Sequence, residues 1–572
     1  MARRSSTKGM ALAFAACLAM AAACSSNGGS AGSGGGTSPA SALVIEDNTS
    51  ATAYTNNFNP FVTSSFSETE NTDSFVYEPL MMVNTLDSGQ APMPWLAQSF
   101  SWSSDGKTLT IALNPKVKWT DGTPLTSADV AFTYNLVTTN SALNIQGVPA
   151  ASSISTPDAE TVVLSFANPE ESNAVAIADQ LIVQKKQWSA ISNPAGYVLA
   201  GAQAVGTGPY TLDSFSGQDV KYKANPNYWG GAPAVKEISV PLYTSNDAAA
   251  LALESGQIDL AGNDISNVQT AFVAKDPTHN HLFQTTAPYF PAANTVSLIL
   301  NTKSSQAPGL AVADVRLAIS AALNRQSLAT QCETNYELPA TSAGGLTLPI
   351  DQSAVTASTT SGDISASPDA GTVTKDMQAA GYTMSGGKWA KGGQQVTFTI
   401  IDPNSFSDYW CDAQAMATQL NTAGFNVTAN GAFDSNSWTT AVTSGNFTAA
   451  LHWGQGSTPF ERDQFIMDST QTAAEGSTAS GDYGRYSDPQ AQQALSAYET
   501  ATTPTAQATA LNQIQSIFAS QMPAVPVLYG AAWYEYNDSH FTGWPTSANP
   551  YIDPSPNNQA YEYMVLHLKP VS

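Results

Sequence analysis

The stretch VTFTIIDPNSFSDYWCDAQAMATQLNTAGFNV, residues 396–427, carries the reading of the fold. VTFTII (396–401) is a short apolar, β-branched run of the kind that forms a buried strand. Ala413, Met416 and Leu420 then recur at helical spacing, and FNV (425–427) begins a second strand. Strand, amphipathic helix and strand in that order argue for an α/β lobe. Working outward, Asp314 opens another helix with Val315, Ile319, Ala322 and Leu323 on one face. Further upstream, SFSWSSDGKTLTIALNP (99–115) is a hairpin signature. Phe100 and Trp102 alternate before the Asp105-Gly106 turn, and Leu109, Ile111 and Leu113 alternate after it. Thr126 with Asp129 forms a capping box, followed by Val130, Tyr134 and Val137 at helical spacing. Two low-complexity stretches, 352–372 and 503–510, interrupt this order and are expected to be exposed; no internal repeat is found.

The chain has 572 residues, enough for two or three lobes with sizeable cores. Forty-two per cent of residues are hydrophobic and only 12% charged, a composition that folds. Acidic groups number 45 against 21 basic ones, for a net charge of −24, which argues against a phosphate-tracking nucleic-acid surface. This acidity reads first as solubility of an exported protein, and second as attraction for cationic ligands. Beyond residue 25 no apolar run is long enough to span a membrane.

Residues 1–23 read as a secretory signal: Arg3, Arg4 and Lys8 precede an apolar run from Met10 to Ala23. Ala21-Ala22-Ala23-Cys24 resembles a bacterial lipobox, so Cys24 is expected to carry a lipid anchor; plain secretion is the alternative. Residues 24–41 then form a lipidated Cys and a Ser/Gly tether. With Cys24 acylated, Cys332 and Cys411 are the pair left in an oxidising compartment, and a disulfide between them is expected rather than two buried thiols.

Several segments together resemble the family 5 extracellular solute-binding proteins, the dipeptide/oligopeptide-binding class of ABC importers. NPFVTSSF (59–66) and YEPL (77–80) are similar to that family's opening. The most specific piece runs from Pro94 to Val137, with its D-G-K hairpin and its W-x-D-G-x-P-L-T-x-x-D-V turn. GTGPYTLDSF (206–215), NPNYWGGAPAVKEI (225–238), ALESGQIDLA (252–261), DVRLAISAALNR (314–325) and MPAVPVLYG (522–530) follow in the expected order. The resemblance implies an α/β, two-lobed periplasmic-binding-protein clamp (type II-like) with an extra inserted domain. Domain I would comprise 42–76, 203–290 and 524–572, the inserted domain II 77–202, and domain III 291–523. It also implies a monomeric binding protein on the extracytoplasmic face of the cell membrane, handing its ligand to a permease driven by ATPase subunits. No cofactor and no metal are implied.

The resemblance places Trp453, Trp438 and Tyr529 at ligand-facing positions, with Trp410, Tyr409 and Phe66 as further candidates. Gln455 and Ser457, in the Gly-rich loop after Trp453, join them as hydrogen bonders. Peptide-binding members anchor the ligand's amino group with an Asp shortly after the equivalent of Trp453. Here those positions are Gly454, Gln455, Gly456 and Ser457, and no carboxylate occurs until Glu461. A site without charges suits a neutral ligand, and 454–465 and 541–551 resemble the oligosaccharide-binding branch. Asp408, Asp412 or Asp434 could instead replace the missing anchor, so peptide remains the expected ligand, with oligosaccharide as the alternative.

A hydrolase finds little support. The G-x-S-x-G at 28–32 lies in the tether, Ser385 to Lys388 reads as a turn, and H-E-x-x-H is absent. His279 and His281 lie two apart in a loop and are expected to be solvated. His452 is expected to hydrogen-bond rather than catalyse. Presentation of bound ligand to a sensor rather than a permease would leave the same sequence features.

Overall fold

In a computed structural model, Thr397–Ile401 forms a strand paired in parallel with Asn426–Asn430 on one side and Ala449–Trp453 on the other. Helix Ser407–Thr422 connects the first two and buries Ala413, Met416 and Leu420 against the sheet. The described residues are 42–46, 52–86, 92–356, 363–556, 558 and 560–571; Cys24 and the tether fall outside them. No helix among them is long and apolar enough to cross a membrane.

This βαβ unit belongs to a six-stranded sheet ordered Leu338–Pro339, Ala524–Ala531, Ala292–Leu300, Ala449–Trp453, Thr397–Ile401, Asn426–Asn430. A seven-stranded sheet gathers Leu43–Glu46, Tyr210–Phe215, Asp219–Ala224, Glu237–Pro241, Leu260–Ala261, Asn280–Leu282 and Glu535–Asn537. A four-stranded antiparallel sheet, from Ala97–Trp102 to Thr161–Ser165, lies between the first and second strands of that set in sequence. The four- and seven-stranded sheets share one apolar core, and the six-stranded sheet has its own. The protein is thus two-lobed, its first lobe holding the four- and seven-stranded sheets and its second the six-stranded sheet.

The hairpin and the capped helix form as the sequence predicts. Trp102 pairs with Leu109 and Phe100 with Ile111, while Gly106 takes φ +65° in the turn. Thr126 and Asp129 cap helix Ser127–Thr139 reciprocally. Two expectations need correction. Residues 503–510 are exposed for the most part, Ala510 being buried, but they do not interrupt the fold: Thr503 caps helix Pro504–Gln521 with Pro504 at its first position. The return to the first lobe also comes later than residue 524, because Ala524–Ala531 is buried along the six-stranded sheet, paired with Ala292–Leu300.

The chain passes between lobes at residues 283–291 and again at 532–534. Phe290 and Trp533, one on each crossing, pack edge to face at 5.0 Å, with Tyr336 beside them. Cys332 and Cys411 are disulfide-bonded, with Cα atoms 5.5 Å apart, tying the end of helix Arg325–Gln331 to helix Ser407–Thr422.

Candidate functional site

A cavity of about 490 Å³ opens between the two lobes beside the crossings, within the size range of small-ligand sites, roughly 300–1,000 Å³. The second lobe supplies Phe406 and Tyr409 from the start of one helix, Trp438 from helix Ser435–Ser444, and Trp453 from the end of its strand. The second crossing adds Trp533. Five aromatic rings therefore face one space. Trp438 and Trp453 stack at 5.6 Å between centroids, and His452 lies against both rings.

His452 is buried, and burial pulls its imidazole down to about 4, so it is neutral at neutral pH. Its Nδ1 lies 2.5 Å from the Trp453 carbonyl oxygen, the geometry of a hydrogen bond donated to that carbonyl. It positions Trp453. The loop that follows owes its path to Gly456, at φ +111°, where a Cβ would come within 2.6 Å of Glu461. Glu461 is itself engaged in the capping box of helix Pro459–Met467, accepting from the Ser457 and Thr458 amides at 2.8 and 3.0 Å.

Polar lining comes from both lobes. A bulge in strand Ala292–Leu300 lies at Ala293 and Asn294, which line the cavity. The Asn294 Oδ1 is buried and meets no donor, and neither does the buried Trp438 Nε1 meet an acceptor. From the first lobe, Asn246, Asn263 and Asp264 face the cavity. Asn246 donates to Asp408 of the second lobe at 3.5 Å, a polar contact across the cleft.

The electrostatics are one-sided. Asp264, Asp408 and Asp553 line the cavity, and no Lys or Arg does among the described residues. Asp553 accepts from the Thr85 hydroxyl at 2.7 Å and from the Ser555 amide. Asp264 is only 6% exposed, and its Oδ1 has no hydrogen-bond partner. Burial, then repulsion from Asp408, Asp247 and Asp412, pushes its carboxyl well above the usual range. Near it lie Asp412 and Glu333, next in sequence to the two bonded cysteines, and burial raises both, Asp412 to about 8. Glu337 accepts from the Ala531 amide at 2.8 Å and the Tyr409 hydroxyl at 3.1 Å.

The sequence-derived candidates divide. Trp453, Trp438 and Tyr409 line the cavity together. Phe66 is buried in a first-lobe aromatic cluster with Tyr54, Phe58 and Phe215. Tyr529 points away, its hydroxyl accepting from the Thr341 and Ser342 amides at 3.1 Å. Trp410 packs toward Gly431, Gln455 is exposed, and Ser457 faces Glu461. A strand alternates its faces and a helix turns by 100° per residue, so neighbours such as Tyr409 and Trp410 diverge. Phe406, Trp533, Asn294 and Asp264 were not foreseen. An aromatic-rich run, AAWYEYN (531–537), was the available signal for Trp533; Asp264 sits in a short loop that carries none.

Comparison with known proteins agrees with this architecture. The family model for bacterial extracellular solute-binding proteins, family 5, matches residues 91–476. A Brucella ovis protein named as an ABC transporter peptide-binding protein is 31% identical over 199 residues, 34% of this chain. The chain spans only 37% of that relative's length. Among solved structures, a mannohexaose-bound periplasmic oligopeptide-binding protein from Thermotoga maritima superposes with a TM-score of 0.80, at 22% identity, covering 93% of this chain and 98% of that one. The oligopeptide-binding protein AppA from Bacillus subtilis, in complex with a nonapeptide, gives 0.74 at 17% identity, covering 93% and 99%.

Proposed function

The chain belongs to the bacterial extracellular solute-binding proteins of family 5, and from that premise we propose that it is the substrate-binding lipoprotein of an ABC importer, capturing short peptides between its lobes. The observation that carries this reading is the inter-lobe cavity, in which aromatic rings from one lobe face amides and carboxylates from the other. Rings supply flat apolar area, amides adapt to a backbone, and carboxylates complement an amino group. Capture would proceed by closure about the two crossings, delivery to a permease energised by ATPase subunits, and release there. Binding involves no chemistry on the ligand. Cys24 would hold the monomeric protein at the outer face of the membrane through its lipid and tether.

The ligand-contacting set in this reading is Trp438, Trp453, Tyr409, Phe406, Trp533 and Asp264. An oligosaccharide is the second reading, favoured by the stacked Trp438–Trp453 pair, by the carboxylate-free loop from Gly454 to Ser457, and by the mannohexaose in the Thermotoga neighbour. Thermal unfolding of residues 42–572 against peptide and oligosaccharide panels separates the two. A ligand at about 100-fold its dissociation constant adds roughly 2.7 kcal/mol of stability. Stabilisation by peptides supports the proposal; stabilisation by one sugar series alone overturns it.

A further inference from the structure

The junction between the lobes is seamed with acids. The second lobe brings Glu333 and Glu337, between helix Arg325–Gln331 and strand Leu338–Pro339, then Asp402 after strand Thr397–Ile401, and Asp408 and Asp412 one turn apart on helix Ser407–Thr422. The first lobe brings Asp264 and Asp247, with Glu46 and Glu535 from its sheet next to Asp264. All but Asp247 are buried. Among the described residues none of these acids is ion-paired with Lys or Arg, and no group of three or more His, Cys, Asp or Glu is placed to hold a metal ion. Asp412 and Glu333 are the extreme case: neither lines the cavity, and none of their four oxygens meets a donor. Their side chains are within hydrogen-bond reach of each other, and two carboxyl groups can bond only when one carries a proton. The seam sits where the lobes touch. Asn246 donates to Asp408 across the junction at 3.5 Å, and the Val268 amide of the first lobe donates at 2.8 Å to the Tyr336 hydroxyl, between Glu333 and Glu337 in the chain. Glu337 in turn accepts from the Ala531 amide, beside the second crossing.

We infer that this seam is a proton-gated latch on the clamp: with its carboxyls protonated the lobes stay together, and their ionisation drives the lobes apart. The inference rests on closure about the two crossings, part of the reading above, and not on the identity of the ligand. With the lobes together, burial raises Asp408 to about 6 and Asp412 to about 8, and repulsion between neighbouring acids adds to burial at Glu333, Glu337 and Asp264. The other titratable groups facing them are Asp247, Asp402, Glu46, Glu535 and the hydroxyls of Tyr336 and Tyr409, and none of these can carry a positive charge. Separation lets water reach the seam, where a carboxyl ionises near its ordinary value of about 4. Joining the lobes therefore takes up protons. Each proton so linked changes the ratio of joined to separated molecules by up to about tenfold per pH unit, acid favouring the joined form.

The test places nitroxide labels on two exposed positions, Leu251→Cys on helix Asn246–Glu254 of the first lobe and Met384→Cys on strand Thr383–Ser385 of the second. The mature chain also carries Cys24→Ser, so that only these two thiols react. Inter-label distances in the ligand-free protein are read by electron spin resonance, in EDTA, between about pH 5 and about pH 8.5, with circular dichroism confirming that the fold persists. The short distance should dominate in acid, and its ratio to the long one should fall about tenfold or more across the range. Asp412→Asn combined with Glu333→Gln, neither of them in the cavity lining, should hold the short distance throughout. A distance distribution that ignores pH overturns the latch, whether or not the double variant folds. A shift as large in the folded double variant as in the parent overturns it too. Distances that shorten with a pooled tripeptide library yet ignore pH overturn the latch and leave capture between the lobes standing. Distances that neither pH, the tripeptides nor mannohexaose moves overturn both.

Discussion

Glu78, deep in the first lobe, accepts hydrogen bonds from the Trp95 and Trp229 indoles and the Tyr228 hydroxyl at 2.8, 2.9 and 2.6 Å. Asp264, also buried though 6% exposed against 0% for Glu78, has an oxygen that no donor meets. Burial raises both carboxyls, but the three donors around Glu78 offset part of that effect and hold it at about 7. A satisfied buried carboxylate fixes its neighbours: here it pins two indoles and a phenol. An unsatisfied one at a cavity wall has no such structural work and, in the proposed reading, is left for a ligand. What sets Asp264 apart from other buried acids with an unmet oxygen, such as Glu562 and Glu535, is its place in the cavity lining.

The comparison breaks most clearly at Glu78. Glu78→Ala strands the buried Tyr228 hydroxyl and two part-buried indoles, each costing about 1–3 kcal/mol, so a loss of about 3–5 kcal/mol is expected in denaturant unfolding. Peptide affinity of the folded protein should stay unchanged, because Glu78 lies outside the cavity.

The pH dependence of the ligand-free protein comes next in size. Asp408 is raised to about 6, Glu78 to about 7, and Glu46 and Asp412 to about 8, in each case mainly by burial. A carboxyl with a raised folded-state pKa contributes stability that is present below its unfolded value and lost as pH climbs through the folded one. The melting temperature should therefore fall as pH rises from 5 to about 9. His452, lowered to about 4, acts oppositely, removing stability as pH drops below its unfolded range. A flat profile above pH 5 would mean that these carboxyls are better solvated than their surroundings suggest.

Asp264→Asn sharpens the contrast, because its sign is reversed. Replacing a carboxyl whose ionisation burial and its neighbouring acids oppose should stabilise the empty protein by about 1–2 kcal/mol at pH 8, while weakening capture of free-amino peptides. Destabilisation would place Asp264 with Glu78, as a structural acid. The smallest effect is expected at half-buried Trp453, where Trp453→Ala should cost about 0.5–1.5 kcal/mol of ring contact and a comparable factor in ligand affinity, read by calorimetry.

Much of the fold was legible because its signals are local. The 396–427 unit, the Asp105-Gly106 hairpin and the Thr126–Asp129 cap each rest on residues within one or two elements, where periodicity and turn chemistry act directly. Residues 503–510 were misjudged because low complexity hid a Thr-Pro helix start. Trp438 and Trp453 were placed in the cleft by the family resemblance of their segments, and both line the cavity. Phe66 and Tyr529 had the right residue type but pack inward, since no local signal says which side of an element faces a cleft formed with distant chain.

By itself, the sequence determined the α/β order of elements, the oxidising setting that favours a Cys332–Cys411 bond, and the loss of an acid after Trp453. Only the tertiary structure decided where carboxylates meet the cavity. Asp264 and Asp408 lie far apart in the chain, on different lobes, and their juxtaposition comes from two crossings and the packing of two cores. Burial and partnership, which distinguish Asp264 from Glu78, are properties of that packing. A sequence records the carboxyl group, and the fold decides whether anything in the chain answers it.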